Sequence, residues 1–123
     1  MKHSPGFLQL VDEAKSRIKE VDIHKVKEWL DSDKKFFLID VREESEWAAG
    51  RLPCSIHIGK GILERDIEQM VPDKGTTLVL YCGGGYRSAL AAESLQKMGY
   101  SDVASMAGGW RGWTEAGYEV ADD

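Results

Sequence analysis

Short strand-like runs alternating with helical segments limit this chain to few architectures. The runs lie at residues 36–39, 55–58, 76–81 and 103–106, and the third, Thr-Thr-Leu-Val-Leu-Tyr, is the clearest buried strand. A continuous apolar run bounded by charge or turn residues is the pattern of a strand covered on both faces. Helical spacing fills the intervals. Residues 5–19 carry Phe7, Leu8, Val11, Ala14 and Ile18 behind Ser4-Pro5, a cap followed by proline in the first turn. Asp22 can cap a helix whose apolar face is Ile23, Val26, Trp29 and Leu30. Further helices are expected over 43–49, closed by Gly50, and over 59–71, with Ile62, Leu63, Ile67 and Met70 as the buried face. The strongest helix is read over 88–98, with Gly99 as its C-terminal cap, and a Trp-bearing helix follows Gly108-Gly109. Strands separated by helices of this length pair in parallel, with helices on both faces of the sheet. Ligands then bind beyond the carboxyl ends of the strands, which points to Asp40-Val41-Arg42 and to whatever follows Tyr81.

Composition narrows the function. The chain has 123 residues, enough for one domain with one core, and its 42% hydrophobic and 30% charged content is that of a folded globular protein. Lys and Arg number 16 against 21 Asp and Glu, a net charge of -5, so no basic field exists to hold nucleic acid or an anionic membrane. No segment approaches the ~20 apolar residues of a membrane span, and the first ten residues lack the apolar stretch of an export signal. Two cysteines, Cys54 and Cys82, form no disulfide framework, and a reducing, cytoplasmic setting is expected.

The loop after the best strand is Cys82-Gly83-Gly84-Gly85-Tyr86-Arg87-Ser88. Three consecutive glycines free the backbone to turn its N–H groups inward, and the following helix contributes the positive end of its dipole. The cradle, the dipole and the Arg87 guanidinium all favour a charged sulfur, so Cys82 is expected to act as a nucleophile without a base. His3, His24 and His57 all lie outside the loop. Other readings use the same residues. Gly83-x-Gly85-x-x-Ser88 with Asp102 approaches a dinucleotide fingerprint but has Ser for the third Gly, and Cys54-x-x-His57 with Cys82 would be a weak metal set. The stronger rival is phosphoryl chemistry on a cysteine, whose loop is C-x5-R; this one is C-x4-R.

Taken in order, Asp40-Val41-Arg42, Glu46-Trp47, Gly50-Arg51-Leu52-Pro53, Ser55-Ile56-His57-Ile58, the loop Cys82 to Arg87 and Met106-Ala107-Gly108-Gly109-Trp110 resemble the rhodanese-like (sulfurtransferase) family. The likeness runs from Val21 to Trp113. It implies an α/β fold with a central five-stranded parallel sheet and helices on both faces. It also implies that Cys82 carries a persulfide between two half-reactions, with Gly83, Gly84, Gly85, Tyr86, Arg87 and Ser88 around the substrate. Asp40, Arg42 and Arg51 are implied as supports of the pocket, Arg51 paired with Glu46, and His57 as a satisfied hydrogen-bonding residue beside its strand. Trp110 and Trp113 are read as core or rim packing. Where many members have Gly after the Pro, this chain has Cys54, read as a small residue in a tight place or as a second thiol near Cys82. No metal or cofactor is called for. The expected activity passes sulfur from a small donor such as thiosulfate to cyanide or a thiol, and the alternative is a persulfide carrier or binding module serving a protein acceptor. Residues 1–17 lie outside the likeness as a helical extension, and 18–123 form the expected domain.

Overall fold

The computed structural model describes residues 3–122. Its elements run α1 (Pro5–Lys15), β1 (Lys19–Val21), α2 (Ile23–Leu30), β2 (Phe37–Asp40), α3 (Glu44–Ala49), β3 (Ser55–His57), α4 (Lys60–Met70), β4 (Leu78–Tyr81), α5 (Tyr86–Lys97), β5 (Val103–Met106) and α6 (Gly109–Glu115). The five strands form one sheet in the order β1-β5-β4-β2-β3, and every pairing is parallel. This is the expected α/β architecture.

Alternation along β4 divides the core. Leu78 and Leu80, with Cys82 beyond the strand end, point to the side covered by Leu63 and Ile67 of α4 and by Ala91, Ala92 and Leu95 of α5. Val79 and Tyr81 point to the other, where Val26 of α2 and Trp113 of α6 cover them. All four residues of β4 are buried, which is why that strand has no polar position. A third, smaller cluster joins Val11 and Ala14 of α1 to Ala89, so α1 lies on the outer side of α5.

Several local expectations change. β1 has no apolar run to announce it: it is three residues at the sheet edge, bonded only to β5, and its first two residues are exposed. Helix α5 begins at Tyr86 instead of Ser88, because Gly85 at φ 92° turns the chain straight into the helix. Of the face expected on α4, only Leu63 and Ile67 are buried, and Ile62 and Met70 are exposed. The Asp22 side chain accepts from the Lys25 amide as a cap should, whereas the Ser4 side chain makes no cap bond. Among the described residues, no helix is long and apolar enough to cross a membrane.

Candidate active site

Three parallel strands deliver the site to one edge of the sheet. Asp40 ends β2 opposite Tyr81 of β4, so Val41-Arg42 and Cys82-Gly83 emerge from neighbouring strands, and β5 ends beside them at Met106. Cys82 is 1% exposed. Its Sγ accepts from the Gly85 amide at 3.1 Å and the Ser88 amide at 3.3 Å, and the Ser88 hydroxyl lies 3.5 Å away. Beneath it the Ser88 and Ser105 hydroxyls are 2.7 Å apart, both buried. Among the described residues, the amides of Gly83, Gly84, Tyr86 and Arg87 meet no protein acceptor. These orphan donors surround a helix N-terminus, where an anion is held by both hydrogen bonds and dipole.

The loop is held from below. The Cys82 and Gly83 carbonyls accept from the amides of Trp110 and Arg111 at 2.8 and 2.9 Å, so the start of α6 is tied to the start of the loop. That approach demands Gly109: it sits at φ 55°, and a Cβ there would come within 2.5 Å of the Cys82 carbonyl oxygen.

Asp40 and Arg42 form a buried ion pair, with Arg42 Nη2 at 2.7 Å from Asp40 and 2.6 Å from the Gly50 carbonyl. Burial works against the Arg42 charge, and the hydrogen bonds and attraction of Asp40 outweigh it, so its pKa stands above the ordinary arginine value. The guanidinium also lies over the Trp110 ring, 4.6 Å from its centroid. Burial, followed by the nearby Asp40 charge, pushes the Tyr81 hydroxyl upward. His57 Nε2 is 2.8 Å from the Arg42 carbonyl, and its ring stacks on Trp47. Trp113 is buried and Trp110 half-buried, as core and rim.

Other placements differ from the sequence reading. Both Glu46 oxygens are taken by Arg87, at 2.9 and 3.1 Å, instead of by Arg51. The Arg87 hydrogen bond, opposed by burial, lowers the Glu46 pKa, and the same bond raises that of Arg87. Arg51 instead lies over the Trp47 ring and bridges by its backbone to Ala121. Cys54 is exposed and adopts φ 65°. It occupies the third place of a Leu52-Pro53-Cys54-Ser55 turn closed by the Ser55 amide on the Leu52 carbonyl, a place that suits glycine. Leu38 pairs with both Ser55 and Val79, which puts Cys54 four residues below the level of Cys82 and two strands away. That is about 13 Å along the sheet and about 10 Å across it, far beyond the ~7 Å that a disulfide spans. Cys54 is therefore no second thiol at this site. Among the described residues, no three His, Cys, Asp or Glu side chains gather as a metal would require. Asp102 binds Lys19 and Thr77 at the opposite end of the sheet, away from the loop.

A pocket of about 900 Å³ opens over Cys82. Gly83, Gly84, Tyr86 and Arg87 line it as expected, joined by Glu46. Four further lining residues escaped the sequence reading: Arg111, and from the N-terminal segment His3, Ser4 and Phe7. Ser105 did carry a signal, a hydroxyl inside an otherwise apolar strand.

Residues 22–116 match the Rhodanese-like domain family. The chain belongs to that family. Over 96 residues this rhodanese-like domain is 34% identical to YtwF of Bacillus subtilis (strain 168), provisionally named a sulfurtransferase, covering 78% of this chain and 90% of that one. Over 99 residues it is 30% identical to YrkF of the same organism, provisionally named a sulfur carrier protein, covering 80% of this chain and only 52%, about half, of YrkF. Among solved structures it superimposes on RPA3614 of Rhodopseudomonas palustris CGA009, a protein of unknown function designated a possible tyrosine phosphatase. That match has a TM-score of 0.83 at 29% identity and covers 98% of each chain.

Proposed function

We propose that this chain is a sulfurtransferase that moves a sulfane sulfur from a donor such as thiosulfate to a thiol or cyanide through a persulfide on Cys82. The observation that carries the reading is the Cys82 sulfur held by the Gly85 and Ser88 amides beneath four loop amides that meet no acceptor among the described residues. The Cys82 thiolate attacks the outer sulfur of thiosulfate; a new S–S bond forms, the donor's S–S bond breaks, and sulfite leaves with the electron pair. The terminal sulfur of the Cys82 persulfide then carries the negative charge, and the orphan amides and the helix dipole stabilise it. An acceptor thiolate or cyanide attacks that outer sulfur, forming its own persulfide or thiocyanate and releasing the Cys82 thiolate. No net oxidation occurs and no metal or cofactor takes part. Around this centre Gly83, Gly84, Gly85, Tyr86, Arg87 and Ser88 form the substrate cradle, and Asp40, Arg42 and Arg51 brace it. The setting is a reducing, cytoplasmic one, in keeping with two unbridged cysteines.

A second reading, a persulfide carrier delivering sulfur to a protein acceptor, draws support from the likeness to YrkF. Phosphatase or arsenate reductase chemistry is the less favoured one, since the C-x4-R loop is a residue shorter than the C-x5-R loop of cysteine phosphatases. Steady-state thiosulfate:cyanide assays of two variants test the proposal. Cys82→Ser should abolish turnover and Cys54→Ser should leave most of it; near-equal losses would overturn the assignment of the nucleophile.

A further inference from the structure

The pocket over Cys82 is much larger than sulfur chemistry on thiosulfate requires, and its size comes partly from outside the family domain. The family match begins at residue 22, yet His3 and Phe7 line the pocket. The His3 ring lies 4.7 Å from Tyr86 and 5.2 Å from Phe7, centroid to centroid, so the three rings form one aromatic wall. The wall is anchored: Val11 and Ala14, further along the same helix, are buried against Ala89 of α5. The charge inside the pocket is uneven. Arg87 is neutralised by Glu46, whereas Arg111 is exposed and carries no ion pair among the described residues. Arg111 Nη1 stands 3.6 Å from where a Cβ on Gly84 would be, next to the loop. A small anion such as cyanide uses neither the rings nor a second guanidinium. A molecule with an apolar body and a carboxylate uses both.

We propose that the N-terminal segment from His3 to Phe7, together with Arg111, is the acceptor-selecting wall of this pocket and favours an organic thiol bearing a carboxylate. The thiol reaches the outer sulfur on Cys82, its carbon chain lies against Phe7 and Tyr86, and its carboxylate meets Arg111. The inference rests on the sulfurtransferase reading, because it concerns the second half-reaction of that cycle.

The test separates the two half-reactions. Sulfite released before any acceptor is added reports loading of Cys82, and acceptor turnover is then compared for 3-mercaptopropionate, 2-mercaptoethanol and cyanide. Arg111→Ala should lower the ratio of kcat/KM for 3-mercaptopropionate over 2-mercaptoethanol about fivefold, the size of one exposed charge contact. Arg111→Lys should restore most of that ratio. Phe7→Ala and His3→Ala should lower turnover of both thiols relative to cyanide, with circular dichroism confirming the fold. Failure of the native protein to release sulfite would sink the sulfurtransferase reading and this inference with it. Normal loading with an unchanged carboxylate preference in Arg111→Ala, or an unchanged thiol-to-cyanide ratio in the wall variants, would overturn this inference alone.

Discussion

Replacing Ser88 separates its two tasks. Its hydroxyl lies 3.5 Å from the Cys82 sulfur and 2.7 Å from the Ser105 hydroxyl. With Cys82 anionic, the Ser88 proton points at sulfur and Ser105 donates to Ser88, a two-step relay. In Ser88→Ala the sulfur keeps its two amide donors at 3.1 and 3.3 Å and loses only the longest contact. The expected fall in persulfide formation is therefore about tenfold, ~1.4 kcal/mol. The same change strands the buried Ser105 hydroxyl, at a cost of about 1–2 kcal/mol in stability, or about 4 °C of Tm per kcal/mol for a chain of this size. Ser105→Ala leaves the Ser88 proton free to serve sulfur, so its rate should fall less than about threefold. In Ser88→Ala/Ser105→Ala no orphaned hydroxyl remains, so the double variant should be more stable than Ser88→Ala while staying as slow. Single-turnover sulfite release and urea denaturation of the three variants measure both effects. A Ser88→Ala protein that is destabilised but loads sulfur at the native rate would refute the relay.

Other outcomes follow from neighbouring residues. Glu46→Gln should cost under about 1 kcal/mol at pH 7, because the Glu46–Arg87 pair is about a third exposed, and should lower the KM for thiosulfate by releasing Arg87. The folded-state pKa of Glu46 is depressed, so the pair's stabilisation is present above the ordinary carboxylate value and lost as pH falls through the lowered one. Urea unfolding curves of native and Glu46→Gln proteins should thus differ at pH 7 and converge once the pH has fallen below the lowered Glu46 value; a gap that widens in acid would contradict this. Cys54→Gly should stabilise the fold by about 0.5–1 kcal/mol, the relief at φ 65° exceeding the entropy glycine adds to the unfolded chain, as read by thermal melting. One glycine inserted between Gly84 and Gly85 should weaken sulfur transfer and improve binding of phosphate, vanadate or arsenate, measured by calorimetry, while robust native phosphatase activity dependent on Cys82 would defeat the assignment.

Where burial is two-sided, the fold was legible. The run that becomes Leu78–Tyr81 has to be apolar throughout, and the glycine loop after it announces its chemistry locally. β1 was illegible because an edge strand of three residues needs no apolar run. The Glu46 partner was misread because Arg51 is near in sequence, whereas Arg87 is 41 residues away and arrives through the sheet. His3 and Phe7 reach the pocket only because α1 docks on α5, a tertiary event that the helical spacing does not encode. Cys54 was ambiguous until the strand register placed it at the far end of the sheet.

Sulfur transfer by this chain requires that Cys82 store sulfur. Mass spectrometry of the native protein and of Cys82→Ser after thiosulfate treatment, without reductant, reads this directly. One added sulfur atom is expected on the peptide that contains Cys82, and none in the variant. An unmodified native protein, or sulfur found only on the Cys54 peptide, would contradict it.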